Sequence, residues 1–98
     1  MKNTDVYRKA IETFGLKNQI YMLMEECAEL IQASNKVIRK NNNYESLYNL
    51  AEEIADVEIM IGQIKEEMKN VKLMTIKIKK EKVKKLQKLL DTVRGKSK

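Results

Sequence analysis

The sequence predicts an all-α fold, a helical hairpin-based bundle of about four helices completed by homodimerisation. Three observations lead there. The 98 residues include no proline and three glycines. Apolar residues recur every three or four positions along most of the chain. The background is dominated by Lys and Glu, both good helix formers. A chain this short makes one domain and buries too little of its own surface to hold much stability in reserve, so a partner subunit would add to it.

The elements follow in order. Val6, Tyr7, Ala10, Ile11 and Phe14 recur at helical spacing behind Thr4 and Asp5, either of which suits an N-cap, and Gly15 supplies a stop. The second helix is expected from about Leu16 to Lys40, on the stripe Ile20, Leu23, Met24, Cys27, Leu30, Ile31, Val37 and Ile38. Within it Cys27 reads as a buried small hydrophobe. Asn41-Asn42-Asn43 marks a tight connector, since asparagine tolerates left-handed backbone. The third helix is expected from about Tyr44 to Lys69 on Leu47, Leu50, Ala51, Ile54, Val57, Ile61, Ile64 and Met68. Inside it Gly62 either permits a close helix approach or merely costs propensity.

Beyond Asn70, Ile76-Lys77-Ile78-Lys79 alternates like a strand, whereas Ile76, Val83, Leu86, Leu90 and Val93 keep a helical rhythm that prevails by its length. Residues 95–98 read as a frayed end. The second and third helices, roughly 38 Å each, should form an antiparallel hairpin that pairs with a second copy as a dimer or a dimer of dimers.

Composition narrows the chemistry. With one cysteine and no histidine, an internal disulfide and the usual zinc ligand sets are excluded, as are Ser-His and Cys-His nucleophile pairs. A carboxylate-bridged di-iron bundle needs Glu-x-x-His and fails on the same count. Any metal must be held by oxygen. No stretch reaches the roughly 18 apolar residues of a membrane span, and the first five residues lack the apolar core of a signal peptide, so a cytoplasmic protein without membrane contact is expected. Charge is uneven: residues 1–68 carry 8 basic and 12 acidic groups, residues 69–98 carry 12 and 2. A basic tail of that kind suits nucleic acid, an anionic surface or a phosphate-bearing small molecule, or is simply a solvated lysine face.

The informative acids are Glu26 and Glu29 on the second helix and Glu53 and Asp56 on the third. Glu26 and Glu29 fall in line with Met22 and Ala33 on an edge of the apolar stripe, and Glu53 and Asp56 run on into Met60. No Lys or Arg occurs between Met22 and Ala33 or between Asn49 and Gly62, so intrahelical ion pairs do not account for them. An antiparallel hairpin turning at 41–43 sets the two pairs at one level. Four carboxylates converging there would not all stay ionised without a cation, and oxygen ligands on rigid helices suit magnesium, or manganese, better than zinc or copper.

Glu25-Glu26-Cys27-Ala28-Glu29-Leu30 and Glu52-Glu53-Ile54-Ala55-Asp56-Val57 resemble the ExxE and ExxD halves of the MazG-like, all-α nucleoside triphosphate pyrophosphohydrolases. The resemblance covers about residues 16–94 and implies a single domain of that type. It further implies that Glu26, Glu29, Glu53 and Asp56 are catalytic and bind magnesium, and that nucleoside triphosphates are cut between the α- and β-phosphates to a monophosphate and pyrophosphate. Many members carry an Asn-x-Lys-Phe-x-x-Arg-like stretch on the following helix; here only a loose echo survives, Lys82-Val83-Lys84-Lys85 bringing lysines near the cationic positions while Lys80 stands at the Asn position.

Lys82 and Lys85 are the candidates for substrate phosphates. For the base, Gln19 comes first, with Asn18, Tyr21, Tyr44 and Tyr48 behind it. Glu25 or Glu52 would take a proton from the attacking water. The competing expectation is a non-catalytic nucleic-acid-binding or regulatory module working through the lysine-rich last helix; it leaves the four inward acids unexplained.

Overall fold

The computed structural model describes residues 1–96. Four helices occupy it: α1 (Asn3–Phe14), α2 (Leu16–Arg39), α3 (Tyr44–Glu67) and α4 (Lys69–Lys96). No strand occurs among the described residues. The Ile76–Lys79 alternation lies within α4, and the expected frayed end is helical at 95 and 96, while 97 and 98 lie outside the described residues. Among the described residues no helix is long and apolar enough to cross a membrane. The chain divides into two compact units, one of α1 to α3 and the other from Met68 onward, holding α4.

Gly15 ends α1 and begins α2. Its φ of 89° lies in the region that favours glycine, and its N–H donates to the Ile11 carbonyl at 2.8 Å. At the other end of that helix the expected capping differs: α1 starts at Asn3, and Lys2 caps it through its backbone alone. The α2–α3 turn uses two left-handed asparagines, Asn41 (φ 52°) and Asn42 (φ 59°). Asn43 then caps α3, its Oδ1 accepting from the Ser46 N–H at 2.9 Å while Ser46 Oγ donates to the Asn43 carbonyl at 2.9 Å.

The core sits between α2 and α3, with α1 laid against α3 and to a lesser extent α2. Two seams, one residue apart, explain how the hairpin packs. The inner seam runs Gln19, Leu23, Glu26, Leu30, Ala33 and Val37 on α2, and Ser46, Leu50, Glu53, Val57, Met60 and Ile64 on α3; every one of these is buried or half-buried. The second seam, one position later, holds Ile20, Met24, Cys27, Ile31 and Ile38 on α2, and Leu47, Ala51, Ile54 and Ile61 on α3; every one of these is exposed. The stripe expected for α2 thus mixes both seams, and its expected burial fails at five positions, Cys27 among them, because only one seam meets α3.

A step of one residue turns about 100° around a helix axis. In antiparallel helices these turns run in opposite senses in space, so both second seams emerge on the same flank of the hairpin. Glu29 and Asp56, each three residues after an inner-seam acid, emerge on the other flank. α1 also keeps away from the apolar flank: its Tyr7 ring lies over Gly62, where an added Cβ would stand 2.6 Å from Tyr7 Cε2. Arg8 Nη2 pairs with Glu66 Oε1 at 2.9 Å. Gly62 is therefore the residue that admits α1, the first of its two expected roles.

Candidate metal centre

Glu26 falls seven residues from both Gln19 and Ala33, and Glu53 seven from both Ser46 and Met60. Both carboxylates thus occupy inner-seam positions, where the hairpin would ordinarily bury an apolar side chain, and both are half-buried. One carboxylate oxygen from each of Glu26, Glu53 and Asp56 lies within 4.8 Å of the other two. Glu29 completes the group, its carboxyl within hydrogen-bonding reach of both Glu26 and Glu53. The four sequence-predicted acids are therefore brought together, with Glu29 and Asp56 at the exposed edge.

Oε2 of Glu26 and Oε2 of Glu53 are buried and have no hydrogen-bond partner. Burial first, then the charges of Glu29 and Asp56, a hydrogen bond with Glu29 and the charge of Glu53, push the Glu26 carboxyl up from 4.5 to about 7. Glu53 is pushed up as well, by burial first, then by Glu29 through hydrogen bond and charge, and by the charges of Asp56 and Glu52. Arg8 pairs with Asp5 and with Glu66, and none of the four acids takes part in either pair. Two orphaned buried anionic oxygens among converging carboxylates fit a hard divalent cation: it would satisfy both oxygens and offset the repulsion.

The other sequence candidates divide. Gln19 is 6% exposed, and its Nε2 donates to Gln63 Oε1 at 2.8 Å, joining α2 to α3. Asn18 is exposed and donates to Gln19 Oε1 at 3.3 Å. Tyr44 and Tyr48 stack with centroids 6.2 Å apart at the start of α3, Tyr44 roughly 18 Å along the axis from Asp56. Tyr21, Glu25 and Glu52 are exposed, as are Lys82 and Lys85 on α4. Sequence reasoning placed Met60 in line with Glu53 and Asp56 but missed Gln63, the buried partner of Gln19. A glutamine within a helix reads as surface, and the only signal was its place beside the inner seam.

No family model matches this chain, and neither a curated protein nor a solved structure matches it.

Proposed function

We propose that this chain is a magnesium-dependent nucleoside triphosphate pyrophosphohydrolase, with manganese able to substitute. It would cleave ribo- or deoxyribonucleoside triphosphates between the α- and β-phosphates, releasing a monophosphate and pyrophosphate. The carrying observation is the pair of orphaned carboxylate oxygens on Glu26 and Glu53, which cluster with Asp56. Support also comes from the likeness of Glu26-x-x-Glu29 and Glu53-x-x-Asp56 to the MazG-like motif halves.

Bound by Glu26, Glu29, Glu53 and Asp56, magnesium would supply Lewis-acid polarisation of phosphate oxygens and a lowered pKa for water. The chain's own contribution is placement. Glu26 and Glu53 are held by long helices, which fixes their carboxylates without loop motion. Glu29 and Asp56 sit at the open edge, where a phosphate can approach. Glu25 and Glu52, exposed and adjacent, are the candidates to accept a proton. Lys82 and Lys85 are the proposed cations for the triphosphate.

The homodimer belongs to the same proposal. The second seam leaves a two-helix-wide apolar flank, with Met24 61%, Ile31 64% and Ile38 77% exposed. Single exposed apolar residues are ordinary, but a contiguous flank of this kind marks an interaction surface. A second hairpin laid on it under a two-fold axis would make a four-helix layer.

The test is incubation with a panel of nucleoside triphosphates and magnesium. Monophosphate with pyrophosphate is expected; orthophosphate with diphosphate would contradict the cleavage position. Glu53→Gln should abolish turnover while leaving the helical signal intact, and a fully active variant would remove Glu53 from the ligand set.

One observation favours a second reading. The segment 69–98 carries 12 basic and 2 acidic residues, the balance of a nucleic-acid-binding helix. Steeply salt-dependent capture of single- or double-stranded nucleic acid, with no nucleotide turnover, would favour it.

A further inference from the structure

One turn along the hairpin from the acids lies a cavity of about 220 Å³, walled by Phe14, Asn18, Gln19, Met22 and Met60. Met22 is four residues before Glu26 on α2, and Met60 four residues after Asp56 on α3. Because the helices run antiparallel, both steps lead the same way along the axis, away from the Asn41–Asn43 turn. The cavity therefore adjoins the acids, about 5.4 Å further along the hairpin. It is smaller than the roughly 300–1,000 Å³ of sites that enclose a drug-sized ligand, so it suits one ring system rather than a whole nucleotide.

Its polar wall has a defined direction. A thioether sulfur accepts but never donates, so the contact of Gln63 Nε2 with Met60 Sδ at 3.7 Å orients the Gln63 amide. Gln63 Oε1 then faces Gln19 Nε2 at 2.8 Å, and Gln19 Oε1 faces Asn18 Nδ2 at 3.3 Å. The chain of amides ends at Asn18, which keeps its Oδ1 and one N–H for an outside partner. Phe14, 60% exposed, adds an aromatic face at the rim, while Met22 and Met60 supply polarisable walls that suit an aromatic ring.

We propose that this cavity is the subsite for the nucleobase, with the Asn18 amide pairing to an adjacent donor and acceptor on the ring. The inference rests on the reading of the acids as a nucleotide-phosphate centre, since that is what makes a base the ring expected one turn away. An amide edge pairs with such a donor–acceptor pair on either a purine or a pyrimidine. Gln19 then orients Asn18 and does not itself need to touch the ligand.

The experiment uses metal-free protein carrying ¹³C-methyl methionine, with Met22 and Met60 resonances assigned by Met22→Leu and Met60→Leu. Adenosine, uridine and purine riboside, which lacks the 6-amino donor, are titrated with ribose and inorganic pyrophosphate as controls. The Met22 and Met60 methyls are expected to shift with all three nucleosides and with neither control, while Met74 on α4 stays still. Asn18→Ala should weaken adenosine roughly 3- to 10-fold and purine riboside by less, since the riboside keeps the ring-nitrogen acceptor and lacks only the 6-amino donor. Silent methyls, or an Asn18→Ala effect equal for both purines, would overturn the subsite. Silent methyls in a protein that cleaves triphosphates remove the subsite alone; responsive methyls in one that cleaves none remove the hydrolase alone.

Discussion

Gly62→Ala isolates the contact that seats α1. The new Cβ would stand 2.6 Å from Tyr7 Cε2 and 3.1 Å from both Cδ2 and Cζ. An unstrained carbon pair sits at about 3.5–4.0 Å, so the ring must retreat by about 1 Å. It is not free to do so cheaply, because the next residue, Arg8, is tied to Glu66, whose side chain is 7% exposed. Overpacking of this kind costs about 1–3 kcal/mol, and exchanging Gly for Ala within a helix returns about 1 kcal/mol. The net expectation is a loss of about 0–2 kcal/mol. In a Tyr7→Ala background the clash is gone, and the same substitution should stabilise by about 1 kcal/mol. Urea unfolding followed by helical circular dichroism, at one fixed protein concentration, measures all four corners of this cycle. A Gly62→Ala gain that is identical with and without the Tyr7 ring would refute the packing argument.

Other expectations follow from the acids, the turn and the apolar flank. Because Glu26 is raised from 4.5 to about 7, the folded chain holds a proton that the unfolded chain has released; metal-free stability contributed by this group should fall as pH rises through that window. Melts of wild type and Glu26→Gln at pH 5 and pH 8 check it: the variant should lose less on going to pH 8, and magnesium should raise the wild-type melting temperature more at pH 8 than at pH 5. A Glu26→Gln melt with the same pH dependence as wild type would contradict the assignment. Glu53→Gln should raise the metal-free melting temperature at pH 8 and abolish the gain from magnesium, and an unchanged magnesium response would count against Glu53 as a ligand. Gly15→Ala meets no atom within 4 Å but inherits φ 89° and ψ 145°, a region close to glycine-only, so about 1–3 kcal/mol of backbone strain is expected in urea unfolding, with no effect on metal binding. Ile31→Glu, on the apolar flank, should shift the sedimentation equilibrium from dimer to monomer; an unaltered mass, or a wild type that is itself monomeric, would remove the dimer from the proposal.

Helices were legible in the sequence because their periodicity is unbroken and their breaks are chemically marked, by Gly15 and by Asn41-Asn42-Asn43. The four acids were legible for a different reason: no cation lies near them along the chain, so their cost had to be met in space. Which apolar stripe faces inward was not legible. Leu23, Leu30 and Val37 alternate with Ile20, Met24, Ile31 and Ile38 at offsets that a single helix cannot rank, and only the partner helix decides. The decisive clue lay in the polar residues, since Gln19, Glu26, Ser46 and Glu53 share the inner seam with Ala33, Val57 and Met60. The start of α1 was misplaced for a simpler reason: Thr4 and Asp5 favour a cap, but the backbone of Lys2 already accepts from the N–H groups of Asp5 and Val6 at 3.0 and 3.2 Å.

The opposed placement of Glu29 and Asp56 on one flank and the outward isoleucines on the other has a practical consequence. Whatever seals the greasy side leaves the charged mouth open to water, so the proposed assembly and the proposed turnover would be separately alterable. A surface variant that would split the proposed dimer need not blind the carboxylates, and a carboxylate variant need not loosen that dimer.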